Sequence, residues 1–222
     1  MKLLLTSGGI TNDSIREALL GLLGRPVEES DALFIPTAQW GHPFCSPQSV
    51  WLSTVGGRPG RSPLTDLGWR SVGVLELTAL PSIERDRWEP WVRDADVLLV
   101  DGGEAVYLRH WIEESGLADV LPSLDDTVWV GVSAGSMVMT PRVGKEFVDW
   151  RPDDDAGLGV VDFSIFPHLD YPGWDQNTMQ SAEAWAARIG APAYAIDDQT
   201  AIVVDGDRVE VVSQGAWRRF DA

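Results

Sequence analysis

Short apolar runs alternate along this chain with longer stretches in which apolar residues return every three or four positions. The first pattern predicts buried strands and the second amphipathic helices; their alternation predicts a parallel sheet covered on both faces. KLLLT (2–6) is the first expected strand, and TSGGITN after it reads as a turn. Asn12 or Asp13 then caps a helix to about Leu23, with Ile15, Leu19, Leu20 and Leu23 on one face. Further strands are expected at ALFIPT (32–37), SVGVLEL (71–77), DVLLVDGG (96–103) and VWVGV (128–132), with a helix over EAVYLRHWIEES (104–115). Late in the chain, AYAI and TAIVV lead to DGD and RVEVV. Asp-Gly between two strand-like runs signals a hairpin, so antiparallel strands should trim the sheet edge. Residues 39–70, rich in Gly, Pro, Ser and Trp, read as an irregular excursion holding one helix. There is no internal repeat and no low-complexity linker, so residues 1–222 are expected to form one domain. The fold class is α/β: a three-layer, doubly wound, mostly parallel sheet with helices on both faces and a C-terminal antiparallel hairpin.

Composition narrows the function classes. Hydrophobic residues make up 44% and charged residues 23%, ordinary for a globular protein with a sizeable core. A formal net charge of -17 argues against nucleic-acid backbones as partners, since these reward basic surfaces. No apolar run reaches the roughly 18 residues that a membrane span requires, and the apolar part of MKLLLT is too short for a signal peptide. The expectation is a cytoplasmic protein with no membrane or nucleic-acid partner. The single Cys45 excludes an internal disulfide and fits a reducing compartment. Three scattered histidines show no metal-ligand spacing, so neither a metal nor another cofactor is implied. The eleven tryptophans fall at irregular intervals, which suits packing anchors and a homodimer interface better than a row for stacking sugars or bases.

The chemistry concentrates in VWVGVSAGSMV (128–138). Gly131-Val132-Ser133-Ala134-Gly135 matches G-x-S-x-G, entered by a β-branched strand and left by a helix start, the context that a nucleophile elbow requires. A serine N-cap at a close-packed turn would give the same letters. At an elbow, Ser133 would stand clear of the sheet, and the Ala134 N–H could meet a developing oxyanion. VDGGE (100–104) ends another strand, so the Gly103 N–H is the candidate second donor. For the base, His110 lies inside an expected helix and His42 in the loop of QWGHPF. His168 stands at the tip of a strand in FSIFPHLDYPG, the context that best suits a general base.

LLLTSGG, DGG before a helix, GVSAGS and FPHLD occur in that order along nearly the whole chain. Together they resemble the peptidase E (aspartyl dipeptidase) family, whose fold is like that of class I glutamine amidotransferases. The resemblance implies Ser133 as nucleophile, His168 as base, and the Gly103 and Ala134 N–H groups as oxyanion hole. It also implies an acid between serine and histidine, for which Glu146 is favoured over Asp149 by its spacing to His168. Two departures bear on substrate. Glu104-Ala105 stands where many family members have Asn-Thr, and LDYPGWDQNTMQ carries no arginine to grip an N-terminal aspartate.

The leading expectation is therefore a serine peptidase that cleaves dipeptides or short peptides, without a preference for Asp-X. A catalytically silent amidotransferase-like binding or regulatory domain would also explain both departures. An α/β-hydrolase-type esterase fits less well, because Ser133 and His168 are close in sequence and no HGGG motif follows an early strand.

Overall fold

The computed structural model describes residues 1–55, 64–151 and 153–221. Its strands are β1 (Lys2–Thr6), β2 (Asp31–Ile35), β3 (Ser71–Val74), β4 (Val97–Val100), β5 (Val128–Val132), β6 (Ser164–Phe166), β7 (Ala193–Ile196), β8 (Thr200–Asp205), β9 (Arg208–Ser213) and β10 (Trp217–Phe220). The helices are α1 (Asp13–Leu23), α2 (Ala38–Gly41), α3 (Pro47–Val55), α4 (Arg85–Arg93), α5 (Ala105–Glu114), α6 (Leu117–Val120), α7 (Ala134–Met137) and α8 (Met179–Ile189). Among the described residues no helix is long and apolar enough to cross a membrane.

The main sheet has seven strands in the order β3-β2-β4-β5-β1-β8-β9. The first five are parallel, whereas β8 and β9 run antiparallel at one edge. This is the expected α/β arrangement with its antiparallel hairpin, which turns at Gly206 in a left-handed conformation (φ 57°). The central strands are apolar at nearly every position because both faces are covered. Leu3, Leu5, Leu98, Val100 and Trp129 point into one core with α5 and α6. The alternate residues Leu4, Val97, Leu99, Val128 and Val130 point into the other with α1. Asn12 caps α1, its side chain accepting the Ile15 N–H at 3.0 Å, and Gly24 ends it in a left-handed conformation.

Two features depart from the expectations. SVGVLEL leaves the sheet at Val74, and Leu77 already lies in a 3-10 turn. AYAI does not join the main sheet: as β7 it centres a separate three-stranded sheet, β10-β7-β6, packed under α8. In the excursion at 39–70, α2 and α3 are helical, and residues 56–63 lie outside the described residues.

The turn from β5 into α7 is the most tightly constrained point of the fold. A Cβ on Gly131 would lie 2.4 Å from the Gly135 carbonyl oxygen, and a Cβ on Gly135 would lie 2.3 Å from that of Val100. The fully buried Trp129 donates its indole N–H to the Gly135 carbonyl at 2.8 Å, locking the turn from below. Gly135→Ala should therefore cost about 2–3 kcal/mol through overpacking against rigid backbone. Gly21→Ala, in α1 with open space around it, should instead stabilise by about 0.5–1 kcal/mol. Denaturant unfolding of the two variants checks the pair of signs; equal effects would mean that the turn can relax.

Candidate active site

Ser133 occupies the elbow with φ 49° and ψ -110°, a conformation that a non-glycine residue adopts only when its surroundings impose it. The imposing contacts come mainly from the end of β1. The Thr6 carbonyl accepts the Ser133 N–H at 3.0 Å and the Ser136 hydroxyl at 2.7 Å. The Thr6 hydroxyl donates to the Gly131 carbonyl at 2.6 Å and accepts the Gly9 N–H at 2.9 Å. Ser133 thus stands at the C-terminal edge of the parallel sheet, where ligand sites of open α/β sheets form.

Gly102 and Gly103 flank it at the end of β4. The Gly102 α-carbon comes so close that an added Cβ would lie 3.4 Å from that of Ser133. Gly103 has φ 139°, and a Cβ there would strike the Ala38 carbonyl oxygen at 2.3 Å, so only glycine fits. Neither the Gly103 N–H nor that of Ala134, first residue of α7, takes a hydrogen-bond partner among the described residues. Both donors remain available beside Ser133. Glu104, next in the chain, is buried. It caps α5 through the Tyr107 N–H and accepts the Trp150 N–H at 3.3 Å, and its burial pushes its pKa up.

His168 also has a positive φ, 56°, which turns it out of the end of β6. Its Nδ1 lies 2.7 Å from Asp198 Oδ1. Ser7 joins the two: its hydroxyl accepts the His168 N–H at 2.6 Å and donates to Asp198 Oδ1 at 2.8 Å. Gly8 allows the carboxylate in, since a Cβ there would lie 2.8 Å from Asp198 Cγ. Burial alone would raise the Asp198 pKa. The hydrogen bond and charge of His168, with the Ser7 hydroxyl, outweigh it and hold the carboxyl below its ordinary range. The ring of Trp174 packs edge-on to His168 at 4.7 Å between centroids, fixing its plane from the other side.

Ser133, His168, Gly102, Gly103, Asp101, Gln39, His42 and Trp174 line one cavity of about 360 Å³. Ser133 and His168 both line it, and among the described residues no hydrogen bond joins their side chains. His42 is therefore at the site as well, its Nδ1 accepting the Phe44 N–H at 3.3 Å. His110 is not; it packs between Trp111 and Trp150.

The expectation for the acid is not met. Glu146 pairs with Arg188, and Asp149 is exposed, so neither reaches His168. The carboxylate at Nδ1 is Asp198, which follows the histidine in sequence. It comes from AIDDQT, where β7 ends in two acids before β8 begins. An apolar strand ending in a polar residue is the same signal that marks His168, and it is readable once the acid is sought on both sides of the histidine.

Comparison with known proteins agrees with this architecture. The model of peptidase family S51 matches residues 3–212. A peptidase E from Nostoc sp. (strain PCC 7120 / SAG 25.82 / UTEX 2576) is 31% identical over 81 residues, which are 35% of this chain and 34% of that protein. The match thus spans about a third of the relative's length. The crystal structure of a peptidase E candidate from Listeria monocytogenes EGD-e superposes with a TM-score of 0.65 at 19% identity, covering 96% of this chain and 98% of that one. A peptidase from an acI-B1 Actinobacterium gives 0.64 at 19% identity, covering 100% and 94%. At such identity the likeness is one of fold.

The Asp198 environment makes a pH-dependent contribution to stability. Its pKa is lower in the folded than in the unfolded chain, so the folded state binds fewer protons there at acid pH. The stabilisation is complete above the ordinary carboxylate range and is lost as pH falls through the lowered folded value. Asp198→Asn should consequently cost stability at neutral pH, and this cost should shrink as pH is taken from about 5 towards 2. Urea unfolding of both proteins across that range measures it; a cost independent of pH would refute the assignment of a favourable charged environment.

Proposed function

The chain belongs to peptidase family S51, a family of serine-type peptidases, and on that premise we propose that Ser133, His168 and Asp198 form the triad that hydrolyses dipeptides or short peptides. The observation that carries the assignment is the 2.7 Å contact of His168 Nδ1 with Asp198, beside the cavity that Ser133 enters from its strained turn.

With the Nδ1 proton held by Asp198, Nε2 of the neutral imidazole keeps its lone pair free to accept a proton. Ser133 Oγ attacks the scissile carbonyl carbon, and its proton passes to His168 Nε2. Negative charge then develops on the former carbonyl oxygen, where the Gly103 and Ala134 N–H groups meet it. Collapse breaks the C–N bond, the leaving amine takes the proton from His168, and water repeats the sequence on the acyl-serine. Asp198 remains a carboxylate throughout and stabilises the imidazolium.

The surroundings favour short, neutral substrates. A second cavity of about 500 Å³ adjoins the first across His42, Phe44 and Trp174, and Phe147, Phe166 and Trp185 line it. Its cation, Arg188, is already paired with Glu146. Among the described residues no lysine or arginine lines the cavity of Ser133, so a substrate aspartate would lose its hydration without a bidentate partner.

Ser133→Ala and His168→Ala should each reduce kcat by at least about 10⁴-fold, because members of a triad act as a unit. Asp198→Asn should cost about 10²- to 10⁴-fold, whereas Asp149→Asn should stay within about tenfold of wild type. Peptidase assays of purified variants test the assignment, and a dispensable Asp198 would remove it from the triad.

In direct competition, Asp-Leu should be cleaved no faster than neutral dipeptides such as Ala-Leu. A strong preference for Asp-Leu would show that a cation does reach the substrate side chain.

A further inference from the structure

Gly102 and Gly103 follow β4 and line the cavity of Ser133. The peptide unit that joins them carries the Gly103 N–H, which takes no partner among the described residues. A peptide unit is planar and turns as one body. With glycine on both sides, no Cβ resists that rotation. A flip would turn the N–H away from Ser133 and bring the Gly102 carbonyl towards it, where a developing negative charge would be repelled.

The units on either side oppose such a flip. Before the pair, the Asp101 N–H donates to the Ile35 carbonyl at 3.1 Å; after it, the Glu104 N–H donates to the Ala38 carbonyl at 2.9 Å. Between these, the Gly102 N–H is held by a side chain: Asp101 Oδ1 accepts it at 2.8 Å. Asp101 is itself held from two directions. Its Oδ2 accepts the Gln39 side-chain N–H from α2, and Ser53 of α3 supplies a further hydrogen bond. These donors are all neutral, so the carboxyl serves as a pair of acceptors rather than as half of an ion pair. It lines the cavity without a place in the triad.

We propose that Asp101 is a positioning residue: by fixing the Gly102 amide, it keeps the Gly103 N–H turned towards the oxyanion that forms at Ser133. The inference rests on Ser133 being the nucleophile and on Gly103 supplying an oxyanion donor.

Asp101→Ala and Asp101→Asn test it, since only the second keeps an acceptor for Gly102. With Ala-Leu as substrate, Asp101→Ala should lower kcat by about a hundredfold, the cost of losing one oxyanion donor. KM should stay within about threefold of wild type, because the donor acts in the transition state. Inactivation by a serine-directed phosphonate, whose phosphoryl oxygen occupies the same position, should slow in parallel. Asp101→Asn should recover both rates to within about tenfold of wild type. NMR relaxation dispersion on isotope-labelled glycine should show no μs–ms exchange at the Gly103 amide of the wild type, a readout independent of how the variants fold. Full activity in Asp101→Ala, a loss carried by KM, equal losses in both variants, or exchange at Gly103 in the wild type would each overturn the proposal. A phosphonate that leaves the wild type unlabelled overturns the nucleophile reading, and this inference with it.

Discussion

Just beyond the first strand, the buried Ser7 hydroxyl accepts the backbone N–H of His168 and donates to the carboxylate of Asp198. One residue earlier, Thr6 holds the backbone of Ser133 through its carbonyl and that of Gly131 through its hydroxyl. Two adjacent residues thereby tie the Ser133 turn to His168 and Asp198, which come from three separate strand ends. The parallel pairing of β1 with β5 makes this geometry available, because it brings Thr6 level with Val132 at the same sheet edge. The hydrogen bonds act over short distances in a largely water-excluded setting, where they fix orientation more strongly than they would at the surface.

The same constraint explains the cluster of glycines. Gly8, Gly103, Gly131 and Gly135 all stand where an added Cβ would strike another group at less than 3 Å. Strain is stored at Ser133 and His168, both with positive φ, and the rigid sheet beneath them supports it. Catalysis by preorganised dipoles needs such rigidity, since donors that must reorient during reaction lose much of their advantage.

Much of this was legible in the sequence. The β1, β5 and α1 boundaries follow from apolar periodicity and from the Asn12 cap, because burial on both faces leaves few alternatives for such runs. Ser133, Gly103 and His168 each carry a local strand-end signature in the sequence, and the fold brings all three to one cavity, with Ala134 next to Ser133. Asp198 escaped, since the family resemblance directed the search to the span between Ser133 and His168. Glu146 looked suitable by spacing alone, yet in the fold that segment turns towards α8 and meets Arg188. Ser7 had no local signal: a serine before two glycines reads as a turn, and its role arises only when β6 and β7 bring His168 and Asp198 alongside it. Likewise AYAI has the letters of a buried strand but not the information that it centres a second sheet. Contacts between elements distant in sequence cannot be read from patterns within each one.

The central claim is that Asp198, steadied by Ser7, holds the proton on His168 Nδ1 and leaves Nε2 free for Ser133. Nitrogen-15 NMR of imidazole-labelled protein, with His168 assigned by substitution, reads the tautomer directly. The account predicts that neutral His168 carries its proton on Nδ1 and that Asp198→Asn abolishes this preference. A proton residing on Nε2 in the wild-type protein would contradict it.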